Sequence, residues 1–463
     1  MSSPSSLDAP VVIASNRGPV SYRRHDGELT AVRGGGGLVS GLAPLLDSGR
    51  ATWIATALSD DDRAAAAAGL PARDDLAVHL LDIPVDEFEA FYDVVSNSYL
   101  WFVHHGLFDS THSPSFTDEW HDAWGAYRRV NAAFAHAVCE HAPRDSVVLV
   151  QDYHLTLLAP IVAAERGDLR LVHFHHTPFA GPDGFRILEP TARDELLAGL
   201  AAHHACGFHI PTWGHNFTHS QQRWGPSDST NVFASSLSSD LDDLRRVAAS
   251  AECDDALEAL EAQVGDRVVI ARVDRMELSK NVVRGFHAYD HLLECHPELR
   301  GRVVFVAHCY PSRLGVPAYR AYHDEVMATV ERVNERWGTD DWQPILMSDH
   351  DDFAASVATF RRYDVLLVNP VRDGLNLVAK EGPAVNERDG QLVLSTEAGV
   401  HAELAGAADS IHPFDIVATS RAIATAIGRS ADERRARAAA LRRDATARTP
   451  ADWLADQLAA AGD

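Results

Sequence analysis

The sequence predicts an α/β fold with two domains, each built around a mainly parallel sheet. Short apolar runs alternate along the chain with longer stretches of helical periodicity, such as 127–140 and 318–336. Several runs are continuous in apolar residues, which is typical of parallel strands buried on both faces. The predicted strands are VVIA (11–14), SVVLV (146–150), LRLVHF (169–174), RVVIA (267–271), RVVFVA (302–307), DVLLVN (364–369) and QLVLS (391–395).

A change in composition marks the boundary between the two predicted domains. Residues 218–240 are rich in Ser, Thr, Gly and Pro, and the strand at 267–271 then resumes the alternation. We therefore expect an N-terminal domain over 1–240 and a C-terminal domain over 241–445. The tail, 446–463, is predicted to be a helix that packs back on the N-terminal domain.

The charge of the chain excludes two classes of partner. Its 463 residues include 41 Lys and Arg against 66 Asp and Glu, a formal net charge of -25. A field of this sign repels nucleic-acid phosphates and anionic lipid surfaces. We therefore expect small-molecule substrates and neither nucleic-acid nor membrane binding. An anionic substrate still fits this expectation if its cleft is locally basic.

Cysteine usage and the N-terminus indicate a cytoplasmic protein. The five cysteines are scattered and form no CxxC motif, which favours a reducing compartment over a disulfide framework. The first ten residues, MSSPSSLDAP, lack the basic and apolar regions of a secretory signal. No apolar run approaches the roughly 18 residues of a membrane span. A homo-oligomer is compatible with the sequence.

Polar and charged residues follow the predicted strands at the point where each strand ends. In open parallel sheets, ligands bind beyond the carboxyl ends of the strands. Each loop alone is weak support, because loops are polar in any case. Together they predict a polar cleft between two domains. The segments are Ser15–Arg17, Gln151–His154, His175–Pro178, Arg272–Arg275, His308–Tyr310 with Arg313, and Pro370–Gly374.

Four glycines at 34–37 precede the apolar stretch LVSGLAPLL, which begins a predicted helix. Glycines let backbone N–H groups approach an anion, and the helix dipole favours negative charge at this end. The pattern predicts a phosphate cradle that lacks the lysine of a Walker motif. The alternative is a flexible surface turn.

Two cations and one acid lie in loops of the predicted C-terminal domain, and a second acid lies about two turns into the helix that follows. Arg275 and Lys280 are five residues apart and suit the neutralisation of a diphosphate leaving group. Asp373 opens a loop-to-helix turn whose amides suit phosphate, and Glu381 lies where it suits ribose hydroxyls. The alternatives are solvated loop cations, a helix-capping Asp373 and a surface Glu381.

A group of histidines raises the question of a metal site. His173 and His175 share one face of the predicted strand, whereas His176 points to the other face. Three ligands would not converge without a bend, so we expect packed or hydrogen-bonded histidines and no metal. The Gly-x-Ser-x-Gly nucleophile elbow is absent from the sequence.

Taken together, these motifs resemble those of the trehalose-6-phosphate synthases, retaining glucosyltransferases of glycosyltransferase family 20. The resemblance runs from about residue 11 to about residue 430. It implies the GT-B fold, in which two Rossmann-like domains face each other across a cleft. It depends on SNRGPV (15–20), GGGGLVSGL (34–42), SNSYLW (96–101), QDYHLTLLAP (151–160), HHTPF (175–179), FRILEP (185–190), ARVDRMELSKN (271–281), PSRLGVPAYR (311–320), VRDGLNLVAKE (371–381) and LSTEAG (394–399).

The resemblance assigns the acceptor pocket and the reacting centre residue by residue. The acceptor pocket would bind glucose 6-phosphate, with two arginines and a tyrosine on its phosphate. Its residues are Arg17, Tyr92, Trp101 and Arg313. The catalytic residues would contact the sugars or stabilise charge on the leaving diphosphate, and they are Asp152, His176, Arg275, Lys280 and Asp373.

The resemblance also assigns the donor site. Two glycines would lie near the diphosphate, backbone groups of one loop would contact the donor, and an acid would bind the ribose. We add two residues near the expected position of the base. The donor-binding residues are Gly36, Gly37, His308, Tyr310, Gly374, Leu375, Asn376, Leu377 and Glu381.

The mechanism implied by the resemblance is glucosyl transfer with retention at the anomeric carbon. The acceptor hydroxyl would attack from the side of the leaving group, so that no enzyme nucleophile is needed. Cationic side chains and helix-end amides would stabilise the diphosphate, and domain closure would exclude water. Neither a cofactor nor a metal is implied.

The sequence departs from the family pattern at several motifs. The usual HDYH begins here with Gln151, and the usual RLDYxKG reads RMELSKN over 275–281, which keeps both cations but loses the aromatic residue and the glycine. The usual GFHTxDYxRHF loses its Arg within 207–217, and the usual PxGID is replaced by ASSLS at 234–238.

A further departure concerns the donor base. His308, Cys309 and Tyr310 replace small residues near the expected position of the base. UDP-glucose is the family default, but some actinobacterial members use GDP-glucose. A histidine and a tyrosine suit the larger purine through stacking and hydrogen bonding, so we expect GDP-glucose to be preferred over UDP-glucose.

Two other functions are compatible with the sequence. A related pseudo-glycosyltransferase of the validoxylamine type joins a nucleotide-activated cyclitol to a phosphorylated aminocyclitol, and it shares the Lys-Asn loop end and VNERD, here at 385–389. The Arg-Asp-Gly at 372–374 favours the synthase instead. The second alternative is a binding or regulatory protein without catalytic activity. It is disfavoured because the charged site residues are all retained.

Overall fold

The computed structural model describes residues 9–25, 27–33, 37–42, 51–70, 77–226 and 230–462. The chain divides into two compact units, one formed by residues up to Leu237 together with Pro450–Asp463, the other by Ser238–Thr449. In the first unit a Cβ at Gly41 would lie 2.6 Å from the Leu237 side chain. In the second, Ser239 donates a hydrogen bond to Glu381. These local contacts explain why the division falls at this point.

The first unit contains a seven-stranded sheet in which every pair is parallel. The strand order is β5-β4-β1-β6-β7-β8-β9. The central strands are continuous apolar runs and are buried, as both-face packing requires. The strands are β1 Val11–Ala14, β4 Ala51–Thr56, β5 Ala77–Leu81, β6 Val147–Gln151, β7 Arg170–His175, β8 Ala205–Phe208 and β9 Asn231–Ala234; the antiparallel pair β2 Val20–His25 and β3 Glu28–Arg33 forms a separate hairpin.

Helices flank the first sheet, and the C-terminal helix is one of them. That helix, Pro450–Gly462, contacts β6, β7 and β8. Its Trp453 is fully buried and lies edge-on to Phe174 of β7. The helices are Gly37–Gly41, Asp60–Ala68, Val85–Glu89, the π-helix Ala90–Leu100, Trp101–His105, Asp118–His141, the 3-10 turn Tyr153–Leu155, Leu158–Glu165, Pro182–Phe185, Pro190–Ala201, Pro211–Trp224 and Pro450–Gly462.

The second unit contains a six-stranded, fully parallel sheet of order β12-β11-β10-β13-β14-β15. Its core packs apolar residues of β10, β11 and β13 against the helices Val282–Cys295 and Pro317–Trp337. The strands are β10 Val268–Met276, β11 Val303–Pro311, β12 Ile345–Ser348, β13 Val365–Val368, β14 Gln391–Ser395 and β15 Asp409–Ile411. The helices are Leu241–Ala248, Ala251–Val264, the 3-10 turn Leu278–Lys280, Val282–Cys295, the 3-10 turn Pro297–Leu299, Pro317–Trp337, Phe353–Arg362, Val378–Val385, His401–Leu404, Ile416–Gly428 and Ala431–Ala445.

Each sheet has a point at which the strand order reverses. In the first unit the chain moves outward from β1 to β4 and β5, then returns to the other side of β1 with β6. In the second it moves outward from β10 to β11 and β12, then returns with β13. Loops after two strands that flank such a reversal diverge and leave a crevice at their carboxyl ends. The fold therefore directs attention to the residues that follow β1 and β6 in one unit and β10 and β13 in the other.

Candidate active site

In the first unit, the predicted site residues follow β1, β6 and β7. Arg17 comes after β1 and is exposed. Its neighbour Asn16 is buried and accepts a hydrogen bond at its carbonyl from the Thr56 backbone, 3.2 Å away. Because β1 and β6 are adjacent and flank the reversal, Arg17 and Asp152 belong to neighbouring loops at the same edge of the sheet.

Asp152 joins the ends of β6 and β7. Its backbone N–H donates to the carbonyl of Phe174, and its Oδ1 accepts from the His176 N–H at 3.1 Å. Its Oδ2 lies 4.0 Å from Nδ1 of His154. Asp152 adopts φ of 68°, a left-handed conformation that is costly for a residue with a Cβ. The two bonds to the end of β7 hold this conformation and fix the direction of the carboxylate.

His176 is held as a neutral imidazole. Its Nε2 lies 3.0 Å from Oε1 of Gln151, the residue that departs from the family pattern. Burial lowers the pKa of His176 to about 3, because removing the ring from water disfavours its charged form. At neutral pH the ring is therefore available for hydrogen bonding without a positive charge.

The aromatic residues predicted for the acceptor pocket take two different environments. Tyr92, on the π-helix, stacks on His154 with ring centroids 5.7 Å apart, so it lies beside the Asp152 loop. Trp101 is buried and packs on His105 at 4.2 Å.

Of the two glycines predicted for the donor site, Gly37 begins the short helix Gly37–Gly41. The prediction for Gly36 lies outside the described residues.

His173, His175 and His176 do not converge on a single point. Nε2 of His173 lies 3.5 Å from Nδ1 of His175, whereas His176 turns to Gln151. Burial lowers the pKa of both His173 and His175 well below the usual value. Across the described ranges, no three His, Cys, Asp or Glu side chains are grouped so that they could hold a metal ion.

In the second unit, an ion pair forms across the reversal between β10 and β13. Nζ of Lys280 lies 2.6 Å from Oδ2 of Asp373 and 3.9 Å from Oδ1 of Asp274. Asn376 donates a second hydrogen bond to Oδ2 of Asp373, at 3.1 Å. Lys280 is therefore not a solvated loop cation, and Asp373 does not cap a helix. The capping role belongs to Asn376, whose Oδ1 accepts from the Ala379 N–H.

Asp274 is a buried acid that the sequence did not single out. Arg272, itself fully buried, contacts its Oδ2 through Nε at 3.0 Å. Burial raises the pKa of Asp274, although Arg272 and Lys280 oppose the rise. For Lys280, burial works against the charged form, but the carboxylates of Asp373 and Asp274 outweigh it and raise the pKa. The ammonium of Lys280 is thus kept charged in a poorly hydrated position.

Glu277 connects two of the predicted arginines and was also missed by the sequence reasoning. It is buried, and its Oε1 lies 2.9 Å from Nη1 of Arg275 and 3.4 Å from Nη1 of Arg313. Arg275 is the last residue but one of β10, so it lies within the strand and not in the loop after it. Arg313 also donates to the Tyr319 hydroxyl at 2.7 Å. In the sequence, Glu277 lies at the end of a strand and between the cations Arg275 and Lys280, and this position could have identified it.

The loop after Asp373 is braced by a second backbone segment. The Val400 N–H donates to the carbonyl of Leu375, and the Gly399 N–H donates to the carbonyl of Asp373. A Cβ at Gly399 would lie 2.1 Å from the Gly374 carbonyl oxygen, so only glycine permits this approach. Both Gly374 and Leu375 are buried, and Leu377 directly precedes the helix Val378–Val385.

Three further predicted donor residues are partly withdrawn from solvent. Glu381 accepts from Ser239 at 3.0 Å, and burial raises its pKa despite that bond, so it is not a surface charge. His308 is buried, contacts Thr359 at 2.8 Å, and has its pKa lowered by burial. Tyr310 pairs with Arg275 across β10 and β11, and burial raises its pKa.

Comparison with known proteins identifies the family. The model of glycosyltransferase family 20 matches residues 9–462. The chain belongs to this family. It is a hexosyltransferase, and the predicted α/β GT-B fold class is confirmed.

Two curated relatives indicate how far the similarity extends. The trehalose-6-phosphate synthase of Mycolicibacterium smegmatis is 30% identical over 481 residues, which cover 98% of this chain and 93% of the relative. The bifunctional trehalose-6-phosphate synthase/phosphatase of Thermoproteus tenax is 34% identical over 385 residues, which cover 80% of this chain. The match spans only 51% of that relative, about half of its length.

Two solved structures are similar over nearly the whole chain. The α,α-trehalose-phosphate synthase (UDP-forming) of Burkholderia vietnamiensis has a TM-score of 0.84 at 26% identity, with 97% of this chain and 100% of that chain covered. An E. coli structure bound with UDP-2-fluoro glucose has a TM-score of 0.83 at 26% identity, with 97% and 98% covered. In the part of the chain that the structure describes, no helix is both long and apolar enough to cross a membrane.

Proposed function

We propose that this family 20 enzyme is an α,α-trehalose-6-phosphate synthase that transfers glucose from a nucleotide-glucose to glucose 6-phosphate with retention. One observation carries the proposal: a charged lysine is paired with a fixed aspartate at the strand-order reversal of the second unit. The end-to-end similarity to the mycobacterial synthase supports it.

The charges of the second unit suit a leaving diphosphate. Lys280 supplies a point charge, and Arg275, which is 45% exposed, supplies a planar guanidinium. Both would stabilise the negative charge that develops on the diphosphate as the glycosidic bond breaks. Asp373, oriented by Lys280 and Asn376, would accept hydrogen bonds from hydroxyls of the donor glucose.

The transfer balances without an enzyme nucleophile. The bond between the glucose anomeric carbon and the diphosphate oxygen breaks, and a bond to the anomeric hydroxyl oxygen of glucose 6-phosphate forms. The hydroxyl proton passes to the leaving diphosphate, and the nucleoside diphosphate departs. Neutral His176 and the carboxylate of Asp152 would contact the sugars at this centre, which keeps their positions fixed without adding a positive charge.

The family resemblance assigns Arg17 and Arg313 to the phosphate of the acceptor. Arginine recognises phosphate through paired N–H donors. Arg17 is exposed, and Arg313 is held by Tyr319 and Glu277. The resemblance also assigns Tyr92 to this phosphate, and it assigns Trp101, which is buried, to the lining of the acceptor pocket.

We further propose that GDP-glucose is preferred over UDP-glucose. Nδ1 of His308 is buried and has no hydrogen-bond partner in the described residues, while Nε2 contacts Thr359. A buried polar atom without a partner is costly, and a purine with several polar edge atoms could satisfy it. Tyr310, two residues on and half-buried, offers a ring for stacking.

The test is a nucleotide-release assay with glucose 6-phosphate and each of the two donors. We expect a higher kcat/KM with GDP-glucose, and a higher value with UDP-glucose would refute the donor proposal. A His308→Ala variant should reduce the ratio of kcat/KM with GDP-glucose to kcat/KM with UDP-glucose. The assay should proceed equally in EDTA and in added magnesium, because Arg275 and Lys280 take the role of a metal ion. A carbocyclic donor with an aminocyclitol phosphate would turn over only if the pseudo-glycosyltransferase alternative is right.

A further inference from the structure

Two buried glutamines and His176, which is partly buried, form a hydrogen-bonded series that ends at the imidazole ring. Gln457, on the helix Pro450–Gly462, presents Oε1 to Nε2 of Gln151 at 3.3 Å. Oε1 of Gln151 lies 3.0 Å from Nε2 of His176. Gln151 and Gln457 are 1% and 0% exposed, so water does not compete for these bonds.

The direction of this series determines which ring nitrogen of His176 carries the proton. An amide oxygen accepts only, so Nε2 of His176 must be the N–H donor. A neutral imidazole has one N–H, and therefore Nδ1 is left as the acceptor. Burial lowers the pKa of His176 to about 3, which is consistent with a single ring proton at neutral pH.

We propose that Gln151, held by Gln457 of the C-terminal helix, is a positioning residue that fixes His176 in its Nε2–H tautomer, with Nδ1 presented as a hydrogen-bond acceptor. The C-terminal helix thereby completes the site of the first unit. This inference rests on the proposed function for the reaction that His176 serves. It also explains how the chain tolerates a glutamine where the family usually has a histidine, since an amide supplies the donor and the acceptor at once.

Among the residues that the structure describes, the other neighbours of His176 supply no alternative partner for Nε2. Asp152 contacts the backbone N–H of His176, and the ring of His209 lies 5.2 Å away, edge-on. The C-terminal helix contributes the uncharged Trp453 ring at 5.7 Å. The tautomer is therefore set by the amide of Gln151.

The direct test is the tautomer itself, read from the ¹⁵N chemical shifts of the imidazole ring. The His176 signal is assigned by its absence in a His176→Asn variant. We expect a protonated Nε2 and an unprotonated Nδ1 in the intact enzyme. In Gln151→Leu this preference should be lost. A protonated Nδ1 in the intact enzyme would mean that both amides have the opposite orientation, and it would overturn the inference.

Kinetics test the consequence. Gln151→Leu and Gln457→Leu should each lower kcat at least about tenfold, because a wrong histidine tautomer is costly where a second residue normally orients the ring. Asp456→Ala is the matched control. Asp456 lies on the same helix and accepts from Ser235 at 2.7 Å, so this variant weakens helix docking while all three side chains of the series are retained. It should lower Tm and leave kcat within about threefold. Equal losses of kcat in all three variants would show a merely structural role and contradict the proposal.

A variant that introduces a negative charge at position 151 changes the pH profile of activity, which a loss of stability alone would not do. In Gln151→Glu a carboxylate faces Nε2–H and raises the pKa of His176. Protonation of Nδ1 should then remove activity in an acid limb absent from the wild type. An unchanged pH profile would contradict the proposed contact. The ¹⁵N measurement needs no turnover, so a failure of the synthase proposal and a failure of this inference are separate outcomes.

Discussion

Replacement of Lys280 by Met removes a partly buried positive charge and keeps most of the length of the side chain. In the structure Nζ of Lys280 contacts Asp373 at 2.6 Å and approaches Asp274 to 3.9 Å. Loss of one pre-oriented donor at a developing negative charge typically costs about 3 kcal/mol. Since 1.36 kcal/mol corresponds to a factor of ten, kcat/KM should fall by about 100-fold or more. The two acids left behind would add repulsion toward a diphosphate, so this value is a lower bound.

Lys380 is the matched control for this experiment. The sequence contains only these two lysines. Lys380 is 1% exposed, and its ammonium pairs with Glu403 at 2.8 Å, a residue outside the proposed reacting centre. Lys380→Met should therefore lower Tm as much as Lys280→Met does, while kcat/KM falls by less than about fivefold.

The assay is nucleotide release under donor saturation and at limiting donor, with Tm recorded for every variant. Arg275→Ala should give a loss similar to that of Lys280→Met, with little change in Tm because Arg275 is half exposed. A loss of less than about threefold at both positions would remove these cations from the site and refute the charge-stabilisation argument. An equal loss in Lys380→Met would show that stability, not chemistry, is being measured.

Three further predictions concern the acceptor, the donor loop and acid stability. Arg313→Ala should raise the KM for glucose 6-phosphate and leave kcat nearly unchanged, and an unaltered acceptor KM in steady-state assays would argue against phosphate binding. Gly399→Ala, whose Cβ would lie 2.1 Å from a backbone carbonyl of the donor loop, should raise the donor KM and lower Tm, whereas Gly406→Ala, with open space around it, should do neither. Burial lowers the pKa of His104 to about 3 and that of His203 to about 4, so the unfolded chain binds protons below about pH 6.5 while the folded chain does not. The free energy of unfolding should therefore fall by about 1.4 kcal/mol per pH unit for each histidine between about pH 6.5 and 4; a Tm that is constant over this range would contradict the burial of these rings.

Most interior strands could be predicted because their own residues specify them, although β4 Ala51–Thr56 and β8 Ala205–Phe208 were missed. The runs at 11–14 and 391–395 coincide with β1 and β14, since a strand buried on both faces must be continuously apolar. Edge strands were missed. Asn231–Ala234 and Asp409–Ile411 are short and partly polar, and only their partners in the sheet make them strands.

The strands β10 and β11 are both longer than the sequence predicts, and for β10 the reason is an ion pair next to the site. The strand β10 continues to Met276 beyond its apolar run, because Arg272 and Asp274 neutralise each other inside the fold. A charged residue read in isolation suggests a loop. Its partner is what permits burial, and the partner cannot be read from spacing alone.

The site residues also divide into those that the local sequence identifies and those that only a contact distant in sequence reveals. Lys280 and Asp373 were identified because each follows a strand, and the topology explains their meeting. The contact of Gln151 with Gln457 joins residues that are 306 positions apart. No local pattern predicts it, since a glutamine near the C-terminus has no distinguishing signal of its own.

The central claim is that this chain makes an α,α-1,1 bond between two glucose units, one of them phosphorylated. The most direct test is NMR of the product formed by the purified chain from glucose 6-phosphate and GDP-glucose or UDP-glucose. The account predicts anomeric signals of an α,α-1,1-linked disaccharide phosphate and one equivalent of released nucleoside diphosphate. Folded protein that forms no such product with either donor, or a product of inverted configuration, would contradict it.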